Sequence, residues 1–163
     1  MWKEESVNYQ GKYYSIENAK LEPKPDPIPQ IWYAGMTDAS RNLISEEVDG
    51  WLMKACNFEK AKENIVDMNL RLKSKSRKNI EYSIPALTFI RDSDSKAIEH
   101  VKQLIGDNKA VLDRTLDTGL VGSYEKVARK IEQLKNIGMD HVILQLTPTL
   151  EELMNVKKLL DIM

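Results

Sequence analysis

The residue patterns that could do chemistry are two short glycine-containing turns, not an array of acids, bases or metal ligands. The first is Ala34-Gly35-Met36-Thr37-Asp38. Gly35 lets the backbone approach a ligand closely, and the N–H groups of Met36 to Ala39 open a helix without intrahelical acceptors. An anion such as a phosphate can be held there, with the Thr37 hydroxyl as an extra donor. An ordinary strand-to-helix turn capped by Thr37 or Asp38 accounts for the same spacing. The Asp38 carboxylate opposes a phosphate unless it is engaged elsewhere. Leu120-Val121-Gly122-Ser123 is a second candidate anion cradle, with a plain helix entry capped by Ser123 as its alternative.

Other chemistries find little support. No Walker-type or Gly-x-Gly-x-x-Gly run occurs. His100 and His141 have no partner at ligand spacing, so surface or edge roles are expected and no metal. Cys56 has no neighbouring basic cluster to lower its pKa. Tyr13, Tyr14 and Trp51 can stack on a ring, but packing of the aromatics is the simpler expectation. The residues alone point to a phosphate-bearing small molecule.

The turns are positioned by regularly alternating elements. Ile31 to Ala34, Val48 to Met53, Tyr82 to Ile90 and His141 to Leu146 read as buried strands, with Pro85 implying a bulge or an interrupted ladder. Between them lie helices, one after Thr37 and a long one with Phe58, Ala61, Ile65, Met68 and Leu72 in a single stripe. Ala97, Val101, Leu104 and Ile105 mark another, stopped by Gly106. Tyr124, Val127, Ile131 and Leu134 mark the next, with Gly138 as its cap. A last helix starts at Thr149 with a capping box to Glu152 and a stripe of Leu153, Val156 and Leu160. The basic run Lys73 to Lys78 reads as a solvated last helical turn. Residues 107–118 read as a polar loop. No hairpin turn is apparent, so the strands should be parallel with right-handed crossovers, giving an α/β protein. Residues 1–30 read as an extended, Pro-rich lead-in with a short strand at Tyr13 to Ile16, because four of the six prolines fall between Pro23 and Pro29. Residues 31–163 read as the globular part.

Composition bounds the function. Twenty-four Lys and Arg against 25 Asp and Glu leave a net charge of −1, which removes a bulk electrostatic case for nucleic acid or an anionic membrane. One cysteine excludes an internal disulfide framework. No apolar run approaches the roughly 18–20 residues of a membrane span, and Met1-Trp2-Lys3-Glu4-Glu5 is not a secretory signal, so a cytoplasmic chain is expected.

The order of features resembles the bacterial-luciferase-like flavin-dependent monooxygenases. It is carried by Gly11-Lys12-Tyr13-Tyr14, Lys24-Pro25, Ile31 to Ala39 and Val48-Asp49-Gly50-Trp51-Leu52. It continues through Leu120 to Ser123, Gly138 to Leu144 and Leu150 to Leu153. The nearest branch is that of the alkanesulfonate and dimethylsulfone monooxygenases, and the F420-dependent reductases share much of the pattern. The resemblance implies a TIM-type (β/α)8 barrel using reduced FMN, or alternatively F420, with molecular oxygen and a small organic substrate. A separate flavin reductase is an implied partner. By resemblance, Gly35, Met36 and Thr37 match the segment that helps hold the flavin phosphate. Where the sulfonate branch carries an Arg and a His facing substrate, this chain has Pro85 and Leu87, and Thr147 stands for a tyrosine. No catalytic residue is carried over, and a neutral or apolar substrate fits better than a sulfonate. The match covers strands five to eight, the C-terminal half of the barrel. Its open face calls for a homo-oligomer or a complementary N-terminal half. A non-catalytic, self-associating flavin-binding domain is the alternative.

Overall fold

The computed structural model describes residues 1–106 and 108–163. Its helices begin where a capping side chain precedes an apolar periodic run. Thr37, Asn57, Ser93, Asn108, Ser123 and Thr149 cap α1 (Asp38–Glu47), α2 (Phe58–Ser74), α3 (Asp94–Ile105), α4 (Lys109–Thr118), α5 (Tyr124–Asn136) and α6 (Leu150–Ile162). Each cap accepts from the backbone N–H three residues on. At the far end of α5, Gly138 takes φ 96°, a left-handed turn that other residues adopt only at a cost.

Two compact units are present, residues 1–31 and 32–163. The first contains β1 (Val7–Gln10) and β2 (Ser15–Ala19), an antiparallel pair closed by a Gly11 N–H to Tyr14 carbonyl hydrogen bond. This corrects the expectation of no hairpin, and the strand begins after the aromatic pair instead of on it. Tyr13 and Tyr14 are exposed, not packed. The proline segment is bent, not extended, with cis bonds at Glu22–Pro23 and Asp26–Pro27.

The second unit is a parallel sheet covered by helices. Strands β3 (Trp32–Ala34), β4 (Gly50–Leu52) and β5 (Glu81–Arg91) pair in parallel, with Trp32 beside Gly50 and Gly50 beside Glu81. On β5, β7 (His141–Gln145) pairs with Ser83 to Leu87, and β6 (Leu120–Ser123) with Thr88 to Arg91. Pro85 falls between the β4 ladder, which ends at Ser83, and the β6 ladder, which starts at Thr88, so its missing N–H interrupts neither. The α/β class and parallel crossovers expected from the spacing are therefore present.

Three apolar clusters fill the space between sheet and helices. One joins α1 and α2 to β4 and the start of β5 through Ile44, Trp51, Met68, Leu72 and Ile84. A second joins α5 and α6 to the middle and end of β5 through Ala86, Ile90, Val127 and Leu159. The third joins α3 and α4 to Phe89 and Val121.

Two local readings are corrected. Residues 109–118 form α4 and not a loop, while Asp107 lies outside the described residues. Of the expected α6 stripe of Leu153, Val156 and Leu160, only Val156 packs half-buried on the core, and the buried face is rotated by one residue. Glu152, Asn155 and Leu159 are buried, and Leu153 and Leu160 are exposed. The capping box is half made: the Glu152 N–H reaches Thr149, but its carboxylate turns to Arg91.

Candidate functional site

In a parallel α/β sheet the functional end is the carboxyl end of the strands, where each loop opens a helix. The β3–α1 turn there is tied down from both sides. Trp51 Nε1 donates to the Gly35 carbonyl at 2.9 Å and Arg41 Nε to the Met36 carbonyl at 3.3 Å. The Arg41 guanidinium lies over the Trp51 ring at 5.3 Å and is held by Asp67 at 2.7 Å and Asn64 at 3.0 Å. Burial alone would raise the Asp67 pKa, but hydrogen bonds from Arg41 and Arg71 outweigh it and hold the carboxyl below its ordinary value.

Gly35 has a local steric reason. A Cβ there would sit 2.6 Å from Ser40 Cβ and 2.7 Å from Ser40 Oγ, so only glycine lets the first turn of α1 close over the strand end. Thr37 Oγ1 accepts from the Ser40 N–H at 3.2 Å and shares a 2.8 Å hydrogen bond with the Ser40 hydroxyl. Helix geometry leaves the N–H groups of Asp38 and Ala39 without intrahelical acceptors. Asp38 does not occupy that space as a cap, since Arg71 Nη2 draws its carboxylate into a 2.7 Å ion pair.

A cleft of about 400 Å³ starts at Met36 and is lined by Lys54, Lys60, Arg114, Asn57 and Asp117. Asn57 bridges it. Its Oδ1 caps α2 at 3.0 Å, and its Nδ2 donates to the Asp117 carboxylate at 3.2 Å, joining the start of α2 to the end of α4. Deeper in, Cys56, Asn57, Asp117 and Thr118 also border a smaller cavity of about 100 Å³ with an apolar wall of Phe58, Ile84, Ala86, Leu120 and Leu134. Burial pushes the Cys56 thiol up despite Lys60, which leaves it protonated and inert. Lys130 borders the same cavity, donates to the Gly119 carbonyl at 3.0 Å and is pulled down by burial.

The second candidate cradle is already filled. Ser123 N–H donates 2.8 Å to Asp94 Oδ1, and Lys126 Nζ lies 3.1 Å from Asp94 Oδ2. A Cβ on Gly122, which has φ 153°, would come within 2.8 Å of that carboxylate. The Ser123 amide, then Lys126, hold Asp94 below the ordinary carboxylate range. The anion at the start of α5 is therefore the chain's own.

The inner surface of the sheet carries Trp32 edge-on to His141, with ring centres 5.3 Å apart, and His141 Nε2 lies 3.0 Å from Glu81. Leu87 and Ile143 are exposed. His100 packs on Phe89 and lies 3.5 Å from Glu152. No group of His, Cys, Asp and Glu able to hold a metal occurs among the described residues. No helix of the described residues is long and apolar enough to cross a membrane. The sequence reading missed Lys54, Lys60 and Asn57 as cleft residues. Asn57 was detectable as a cap three residues before Lys60, whereas its contact with Asp117 spans 60 positions.

Comparison with known proteins places this geometry. The model of a family described as luciferase-like monooxygenase matches residues 1–115. An FMNH2-dependent dimethylsulfone monooxygenase of Pseudomonas fluorescens is 20% identical over 88% of this chain, which spans 48% of that protein. The solved DmoA of Hyphomicrobium sulfonivorans superposes with TM-score 0.68 at 19% identity, over 94% of this chain and 44% of its own. An F420-dependent secondary alcohol dehydrogenase bound to an F420-acetone adduct gives TM-score 0.76 at 18% identity, over 96% of this chain and 56% of its own. The chain thus spans about half the length of these relatives.

Proposed function

The chain belongs to the luciferase-like monooxygenase family, and from that membership we propose that it forms the C-terminal half-barrel, strands five to eight, of a reduced-FMN-dependent monooxygenase acting on a small organic substrate with molecular oxygen. Residues 1–30 are its lead-in and residues 31–163 its half-barrel domain. Reduced flavin comes from a separate reductase, and the barrel is completed by an N-terminal half or by a second copy.

The observation that carries the reading is the β3–α1 turn, which fits the phosphate end of FMN. Gly35 and Met36 shape the turn, Thr37 supplies a hydroxyl, and the helix-start amides of Asp38 and Ala39 follow it. The Asp38 carboxylate is drawn aside by Arg71, and Lys54, Lys60 and Arg114 line the cleft beside Met36. When bound, reduced flavin supplies the reaction with oxygen, which no protein side chain can perform. The protein's part is to anchor and orient. Trp51 and Arg41 fix the turn by its carbonyls, so the amide donors keep one geometry. Leu87 and Ile143 give the inner face an apolar wall that excludes water once the barrel is covered. An apolar or neutral substrate suits that wall better than a sulfonate.

Titration of FMN with the purified chain, read by fluorescence quenching, tests the proposal. Saturable quenching is expected, and Lys54→Gln with Arg114→Gln weakens it by about tenfold at low salt, the equivalent of roughly 1.4 kcal/mol. No quenching, even with an N-terminal half supplied, sinks the flavin claim. Tighter binding of the deazaflavin moves the assignment to an F420-dependent reductase. Binding with no oxygen consumption across small substrates favours a non-catalytic domain, which the apolar Pro85 and Leu87 would suit.

A further inference from the structure

The sheet has five strands, of which the short β6 pairs only with the last four residues of β5, and the path through the other four ends on two edges that match each other. In the ladder β3–β4–β5–β7 all four strands are parallel, and β3 and β7 are its edges. A two-fold axis parallel to the strands preserves their direction, so it sets β7 of each copy beside β3 of the other in two identical parallel pairings. Such an isologous arrangement closes on itself and leaves no edge. Two ladders make eight strands, the number at which inward side chains fill a closed barrel.

The helices carry the same complementarity. A right-handed crossover lays each helix over its own strand and the next one. Helix α6 follows the last strand, and opposite its buried Glu152, Asn155 and Leu159 it presents an outward apolar stripe. Leu150, Leu153, Met154 and Leu160 are 76%, 60%, 48% and 62% exposed. An apolar helix face of that size is normally covered. At the other edge, Tyr33 on β3 pairs in register with the buried Trp51, yet is exposed, as is Leu43 on α1. The surface α6 has to spare is of the kind β3 and α1 need.

Charge permits the union. On the inner face Glu81 and His141 meet within one chain at 3.0 Å, and a net charge of −1 gives two copies little mutual repulsion. We infer that two copies of this chain associate through β3, β7 and the outer stripe of α6 into a closed, two-fold symmetric eight-stranded barrel whose mouth is lined by both. This names the partner in the completion proposed above and rests on the half-barrel reading, but not on flavin binding.

Light scattering and sedimentation of the full chain decide it. The expected mass is twice the 18.7 kDa of one chain. Leu153→Glu with Leu160→Glu weakens association by about a hundredfold or more while circular dichroism keeps its helical signal, since both side chains are exposed in one copy. Val66→Glu with Leu70→Glu, on the exposed face of α2, leaves the mass unchanged. A monomer at high micromolar concentration overturns the inference. So does a dimer that survives the α6 changes or breaks with the α2 changes, and so does a monomer that pairs only with a supplied N-terminal half. FMN quenching on the same samples separates the two readings. A monomer that quenches loses the dimer alone, and a dimer that does not quench loses the flavin alone.

Discussion

The carboxylate of Asp94 does for α5 what a bound anion would do, and it comes from α3, 29 positions before the Ser123 amide it accepts from. Its folded-state pKa is lowered, so its stabilisation is complete above the unfolded value near about 3.9 and is lost as pH falls through the folded value. Asp94→Asn should therefore flatten the acid side of the stability profile. Urea midpoints measured from about pH 5 down to about pH 2 would show it, and an unchanged slope would discard the assignment. Both glycine turns were legible as anion cradles from their local residues. What separates them was not legible, because it is a partner far off in the chain. Asp94 closes one turn, while Arg71 draws Asp38 away from the other across 33 positions.

At the scale of elements, caps and stripes carried most of the reading. α2 starts at Phe58 and α5 at Tyr124, as the apolar spacing indicates. α4 was missed because its residues are mostly polar, although Leu112 and Leu116, one turn apart, pack on the α3 cluster. The rotation of α6 has a single cause in Glu152. A buried carboxylate contradicts the hydrophobic pattern, and it is buried because Arg91 at the end of β5 meets it in a two-pronged pair at 2.6 and 3.2 Å. Its side chain is only 3% exposed and that of Arg91 12%. Arg91→Met strips that buried charge of its two-pronged partner, leaving only His100 nearby at 3.5 Å, and should cost about 3–5 kcal/mol, while the double change with Glu152→Met should recover most of it. Chemical denaturation of the three proteins checks this, and equal losses in the single and double variants would refute it. The basic run after α2 is likewise not merely solvated. Arg77 donates to the carbonyls of Ile44 and Val48, and Lys75 pairs with Glu46, so the run staples α2 to the end of α1.

For the whole molecule, the parallel α/β class follows from strand spacing, but the spacing says nothing of which apolar surfaces face outward. The exposed stripe of α6 and the exposed Tyr33 supply that information. If association covers them, folding and assembly are linked, and the midpoint of thermal unfolding should rise with protein concentration. A midpoint constant over a wide dilution range would speak against it.

Strand β5 gives the molecule a further property. β4, β6 and β7 each pair with it, while β3 reaches it only through β4. The eleven residues Glu81–Arg91, in the middle of the chain, are thus a hub. Its partners lie about 30 residues before it and about 30 and 60 after it, so every ladder it makes is a long loop closure. During synthesis β4 gains its second neighbour only when β5 emerges, and the last strand docks onto the chain's centre instead of onto its predecessor. The order of assembly is written in the pairing of one strand.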